Sequence, residues 1–386
     1  MANSNLTNAK KAKNDEFYTQ YGDIQKEIEA YLEYNPNVFR GKVVYCNCDD
    51  PYESNFFRYF VLNFNKLGLK QLITTSYKPS PVANTQLALF GDDATLAKEK
   101  GRPKINANKF IINVVGDLDG DGEFNLKDVA KQLKANKHNE WTPLNGDGDF
   151  RSDECVNLLK QSDIVVTNPP FSLFKEYVKQ LFEHNKKFVI IGNKNCVTYK
   201  EIFPLIKDNK MWSGKTEWSG GLWFVTMDNT DVDKVVDGVN MKNVSSVWFT
   251  NIDHGRRHQP LPLMTMEENL KYSKHKEIKG KKAYDKYDNY DAIEVPFTDS
   301  IPSDYDGVMG VPISFLDKYN PDQFEIIGLG IANLGLSAGV RPYKPEHRKY
   351  RREVQKRGTV DGDLYMMKDG DVVVPYARVL IKHKKK

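Results

Sequence analysis

The sequence predicts an α/β fold: an open, mostly parallel sheet with helices packed on it, followed by a smaller mixed α+β region. Three observations carry that expectation. Short apolar, β-rich runs recur with helical or loop material between them, which is the pattern of parallel βαβ units. One of these runs leads through a tight turn directly into an amphipathic helix. After about residue 251 the chain changes to short β-like pieces, prolines and basic loops.

Taken in order, the runs are Lys42 to Tyr45 (KVVY), Leu69 to Thr74 (LKQLIT), Phe110 to Val115 (FIINVV), Ile164 to Thr167 (IVVT) and Phe188 to Ile191 (FVII). Most are rich in the β-branched and aromatic residues that suit a pleated, buried surface. The fourth is followed by SLFKEYVKQLFE, Ser172 to Glu183, where Leu173, Phe174, Tyr177, Val178, Leu181 and Phe182 recur at helical spacing. We place the boundary between the regions at 255/256, giving a core over 1–255 and a second region over 256–386.

At 386 residues with 40% hydrophobic side chains the chain can bury a sizeable core. No apolar run approaches the ~20 residues needed to span a bilayer. The start, MANSNLTNAKKAKNDEF, has basic residues but no apolar segment after them, so a cytoplasmic protein without membrane attachment is expected. Cys46, Cys48, Cys155 and Cys196 include one C-x-C pair but no second pair at zinc-ligand spacing, which predicts reduced thiols. The net charge of +4 names no partner by itself, but its distribution is uneven. Arg341 to Arg357, RPYKPEHRKYRREVQKR, holds eight Lys or Arg against two Glu. Such a run is either a solvated face or a track for phosphates.

The most informative stretch is SDIVVTNPPF, Ser162 to Phe171. Two proline rings lock φ and remove two N–H donors just where an apolar strand ends. What remains is rich in acceptors: the Asn168 side-chain oxygen and the Pro169 carbonyl, with Pro170 shaping the turn. Two converging acceptors suit a planar NH₂ group. Holding both hydrogens turns the nitrogen lone pair toward an electrophile, which is catalysis by position and electrostatics. Phe171 offers a face on which a base can stack. The carboxyl end of a strand is where open α/β sheets bind ligands.

With its Asn-Pro-Pro-Phe turn, the chain resembles the S-adenosylmethionine-dependent amino-methyltransferases. More narrowly, DEFYTQY (Asp15 to Tyr21), VVYCNCDDP (Val43 to Pro51), GDGDFRSDECVNLLKQSDIVVTNPPFSLF (Gly146 to Phe174) and SVWFTNIDH (Ser246 to His254) are similar to the EcoRI-type adenine-specific DNA methyltransferases. The resemblance implies a Rossmann-like methyltransferase core and a C-terminal target-recognition region. It implies that Asn168 and Pro169 hold the adenine N6 amine and that Phe171 stacks on the extruded base. Phe17, Tyr18 and Thr19 would meet the methionine end of the cofactor, with Thr19 the partner of its carboxylate. Asp49 and Asp50 would lie where the cofactor amino group is held, and Asp149 and Phe150 would receive its adenine. Two departures stand out: CNCDDP replaces the glycine-rich loop after the first strand, and LITTSY (Leu72 to Tyr77) lacks the acid expected for the ribose.

The activity so implied is methylation of adenine N6 in double-stranded DNA, with the base flipped out of the stack. The enzyme would modify DNA in a restriction-modification system, or stand alone as an orphan or phage methyltransferase. It would act as a monomer, without a stable complex with an endonuclease. Gripping the duplex would fall to the basic C-terminal region, with Arg256, Arg257, Arg341, Arg348, Arg351 and Arg352 as candidates. Two other classes stay open: an RNA or protein-glutamine N-methyltransferase, and a non-catalytic DNA-binding module with a methyltransferase-like fold. Finally, DLDGDGEFNLKD places Asp117, Asp119, Asp121 and Asp128 at the ligand spacing of a calcium loop, although plain Gly-Asp turns read the same way.

Overall fold

The computed structural model describes residues 18–48, 54–77, 107–117, 138–226 and 231–384, together with positions 120, 124, 125, 128, 129, 131 and 132. The chain divides into two compact units, 1–194 with 214–254 and 195–213 with 255–386. Residues 195–213 therefore belong with the second unit, an excursion that no composition shift announces.

In the first unit, β2 (Val43–Cys46) and β6 (Ile164–Thr167) are buried at every position, as all-apolar strands must be when both faces are covered. They lie side by side in parallel, with Val44 opposite Ile164. On the far side of β2 runs β3 (Gln71–Thr75), and on the far side of β6 runs β7 (Lys187–Asn193), both parallel to their neighbours. The sheet continues outward from β3 through β4 (Asn108–Ile112) and β5 (Glu140–Pro143), and from β7 to the strand Ser246–Thr250. These outer strands are all antiparallel. The run expected over 110–115 is thus the antiparallel β4, because it returns beside β3 instead of crossing over. The chain leaves β2 in one direction toward β3 and later fills the other side with β6. This reversal makes the carboxyl ends of β2 and β6 a topological switch point, the position at which open α/β sheets bind ligands.

Helices cover the faces. Ser54 caps α2 (Asn55–Leu62) by accepting from Phe56 N and Phe57 N, and the helix turns Phe56, Phe57 and Phe60 into the core. Ser152 caps α3 (Asp153–Gln161) in the same way. The predicted amphipathic helix is α4 (Phe174–Glu183), burying Phe174, Tyr177, Val178 and Leu181. Its first expected turn, Phe171–Leu173, is a 3₁₀ turn closed by Leu173 N–H to Pro170 O at 3.0 Å. Gly192 on β7 allows the helix to sit down, since a Cβ there would come within 2.4 Å of the Phe174 ring.

A second sheet in this unit starts with β1 (Tyr18–Thr19), paired antiparallel with Leu222–Val225 so that Thr19 faces Phe224. The next helix, α1 (Tyr21–Tyr34), carries the fully buried Glu27. Its side-chain oxygens accept from Tyr31 Oη (2.7 Å), Lys215 N (2.7 Å), Thr216 N (2.8 Å) and Thr216 Oγ1 (2.7 Å), so both are satisfied within the protein. In the second unit the main sheet takes the order Ala292–Glu294, Val308–Pro312, Arg378–His383, Phe324–Gly330. Among the described residues no helix is long and apolar enough to cross a membrane.

Candidate functional site

The Asn-Pro-Pro-Phe turn stands at the carboxyl end of β6, at the switch point. Thr167, fully buried, donates its hydroxyl to the main-chain oxygen of Asn47, the residue after β2. Asn168 follows half-buried, with its side-chain oxygen turned inside, and Pro169 is buried. Among the described residues no donor reaches the Pro169 carbonyl. Phe171 is half-buried and rests against the core.

The glycine-poor loop after β2 makes its turn without glycine, because Cys48 takes a left-handed backbone with φ 63°. Asn47 beside it is buried and accepts from the Tyr177 hydroxyl of α4 through its side-chain oxygen. None of the four cysteines forms a disulfide. Phe17, Asp49 and Asp50 lie outside the described residues, as does the Tyr18 side chain.

Thr19 is 5% exposed, and among the described residues no hydrogen-bond partner reaches its buried hydroxyl. Its carbonyl accepts from Asn55 Nδ2 at 2.8 Å, which ties β1 to the first residue of α2. A buried polar atom left unsatisfied is rare enough to point to a missing ligand group.

The loop 146–150 reaches the same sheet edge through Gly148. With φ +80°, a Cβ on Gly148 would fall 1.9 Å from the Ser76 carbonyl at the end of β3, so only glycine fits. This is an approach that GDGDF carries and that spacing alone does not reveal. The next residue, Asp149, accepts from Arg151 N (2.8 Å), Nε (2.9 Å) and Nη2 (2.7 Å), while Arg151 also reaches Glu176 on α4 at 3.0 Å. Burial alone would raise the Asp149 pKa, but the Arg151 guanidinium and N–H outweigh it and hold the carboxyl below its ordinary value. Phe150 is buried edge-on to Tyr177, ring centroids 5.0 Å apart. Where an acid was expected at the end of β3, Ser76 accepts from Asn108 N, and among the described residues no partner reaches the buried Thr74 hydroxyl.

The structure therefore brings the ends of β2, β3 and β6 and the Asp149–Phe150 pair to one edge, where a planar amine and a ligand bearing a carboxylate and a base can be held. A family model described as adenine-specific methyltransferase EcoRI matches residues 5–384. The chain belongs to the EcoRI family of adenine-specific methyltransferases. Relatives include the Type II methyltransferase M.EcoRI of Escherichia coli, 39% identical over 99% of this chain and 97% of its own length. The Type II methyltransferases M.MpnI of Mycoplasma pneumoniae and M.MgeORF184P of Mycoplasma genitalium are 38% and 36% identical over 83% of this chain, covering 83% and 84% of their own lengths. No solved structure matches.

In this EcoRI-family methyltransferase the basic candidates of the second unit differ sharply in setting. Arg256 pairs with Asp317 at 2.9 Å, and both side chains are largely covered. Arg257 is buried, donates to Asn209 Oδ1 and lies 3.7 Å over the Trp212 ring. On helix α5 (Pro345–Glu353), Arg348 pairs with Asp361, and Arg351 donates to Gly358 O (2.9 Å) and Val372 O (3.2 Å). Each of these four arginines has a partner within the unit. Arg341 is exposed, with one long hydrogen bond to Asp288 O at 3.4 Å, and Arg352 is exposed on the outward side of α5. The signal for the split was the helical spacing itself: 347, 348, 351 and 355 share the inward face, leaving 349 and 352 outside.

In the calcium-like loop, Asp119 and Asp121 lie outside the described residues. Asp117 and Asp128 accept from Gly120 N (2.7 Å) and Asn125 N (2.9 Å), as in ordinary turns. Among the described residues no group of three His, Cys, Asp or Glu side chains is placed to hold a metal ion.

Proposed function

We propose that this adenine-specific DNA methyltransferase uses S-adenosylmethionine to methylate the N6 amine of an adenine flipped out of double-stranded DNA. The observation that carries the reading is the acceptor-rich turn Asn168–Pro169, held at the switch point of the sheet. The residues present fit the cofactor. The buried hydroxyl of Thr19, which no described residue satisfies, suits its carboxylate, and Asp149, whose carboxyl Arg151 holds below its ordinary pKa, can accept from its exocyclic amine. When bound, the cofactor would supply an electrophilic methyl group on sulfur. The chain's part is to hold and orient. Asn168 Oδ1 and Pro169 O take the two N6 hydrogens and turn the lone pair out of the ring plane, and Phe171 stacks on the base. As a modification enzyme it would act as a monomer, without a stable complex with an endonuclease.

Expression in cells free of N6-methyladenine, followed by sequencing of their DNA, should show the modified base in one short sequence context. Absence of methyladenine, or label appearing instead on RNA or protein, would overturn the reading.

Phosphate binding is assigned to the outward basic residues Arg352, Lys349 and Arg357, all exposed. Replacing the three with Ala should weaken binding to all DNA sequences together. The slope of log K against log salt should become shallower by about 0.9 for each phosphate the protein no longer neutralises. Filter or anisotropy titrations from low to moderate salt provide the check, and an unchanged slope would make this face merely solvated.

A further inference from the structure

The turn that carries the proposed chemistry is gripped from both sides by one residue of the loop that follows the neighbouring strand. Ahead of the turn, Thr167 donates to the main-chain oxygen of Asn47. Beyond it, Tyr177 on α4 donates to the Asn47 side-chain oxygen. All three residues are within 2% of fully buried, so these groups have no water to fall back on. Tyr177 also carries Phe150 against its ring edge, and Gln180, one turn further along α4, donates to Phe150 O at 3.1 Å. Asn47 stands where a glycine-rich loop would normally turn. Its replacement of a glycine has a use: it brings an acceptor side chain that glycine lacks, and being neutral it can be buried without a counter-charge.

We propose that Asn47 and Tyr177 are a positioning pair that fixes the loop after β2 to the Asn168–Phe171 turn and so sets the approach of methyl donor and target amine. The inference rests on the amine-holding role of the turn given above. Neither residue touches the reacting atoms. Their effect comes through alignment, where misplacement by about an ångström can lower a rate by about 100-fold.

Tyr177→Phe keeps the ring against Phe150 and removes only the hydroxyl. Single-turnover methyl transfer at saturating S-adenosylmethionine and DNA should slow by about 10–100-fold. The dissociation constants for cofactor and DNA should stay within about threefold, a change too small to account for the rate loss. Thr167→Val should act in the same direction, whereas Thr167→Ser, which retains the donor, should restore most of the rate. Two results would overturn the pair: wild-type rates in both Tyr177→Phe and Thr167→Val, or a rate loss matched by an equal loss of cofactor affinity or of folded protein in a thermal melt. Asn168→Ala measured in parallel separates the two levels. If it is inactive while Tyr177→Phe and Thr167→Val are both normal, only the positioning pair falls; if it keeps full activity, the reading of the turn itself has failed.

Discussion

Asn168→Ala should lower methyl transfer by about two to three orders of magnitude or more while cofactor affinity stays nearly unchanged. That range is typical for removing one preorganised polar group aimed at an atom whose charge changes in the transition state. The selectivity follows from geometry. Asn168 lies beyond the end of β6, and its neighbour Thr167 is separately anchored to Asn47, so truncating the Asn168 side chain leaves the strand and the loop after β2 in place. The Pro169 carbonyl remains as a single acceptor, which can hold one amine hydrogen but cannot fix the orientation of the nitrogen. Rapid-quench kinetics with labelled cofactor, alongside calorimetry, separate the two effects. A variant that keeps most of its turnover would remove the turn from the mechanism.

Asp149→Ala should do the opposite. Loss of a charge-assisted hydrogen bond to the cofactor's exocyclic amine is expected to weaken S-adenosylmethionine binding by about 1–3 kcal/mol, a factor of about 5 to 150 in Kd. DNA binding should change little. Arg151, released from Asp149, keeps its ion pair with Glu176, and Phe150 keeps its contacts with Tyr177 and Gln180, so the loop 146–152 stays tied to α4. The pH dependence has a definite sign. Because Arg151 holds the Asp149 pKa below the ordinary carboxylate value, the carboxylate is fully present above that value. Its contribution to binding should therefore be flat through neutral pH and fade only as pH falls through the depressed pKa. A Kd that is the same for Asp149→Ala and the parent would place the adenine-binding group elsewhere, and a fall in affinity already near neutral pH would show that another group titrates.

Some of this protein was legible because single residues carry strong local constraints. Two consecutive prolines cannot continue a sheet, so the end of β6 and the acceptor-rich turn were visible in NPPF. The periodicity of Phe174, Tyr177, Val178 and Leu181 defined the buried face of α4, since a helix repeats its faces every 3.6 residues whatever its neighbours. The settings of Arg256 and Arg257 were not legible in the same way. Arg256 and Arg257 look like an exposed pair in GRRH, but whether a guanidinium meets water or Asp317 and Trp212 depends on residues dozens of positions away.

The sequence by itself determined the α/β class, the place of the turn and the family. Each of these depends on local backbone chemistry or on motifs in fixed order. Only the tertiary structure decided that β4 runs antiparallel, that Gly148 must yield space to the Ser76 carbonyl, and that Asn47 accepts from both Thr167 and Tyr177. Those interactions join residues separated by tens to more than a hundred positions. Their energy comes from excluding water around paired polar groups, and only the assembled sheet can do that.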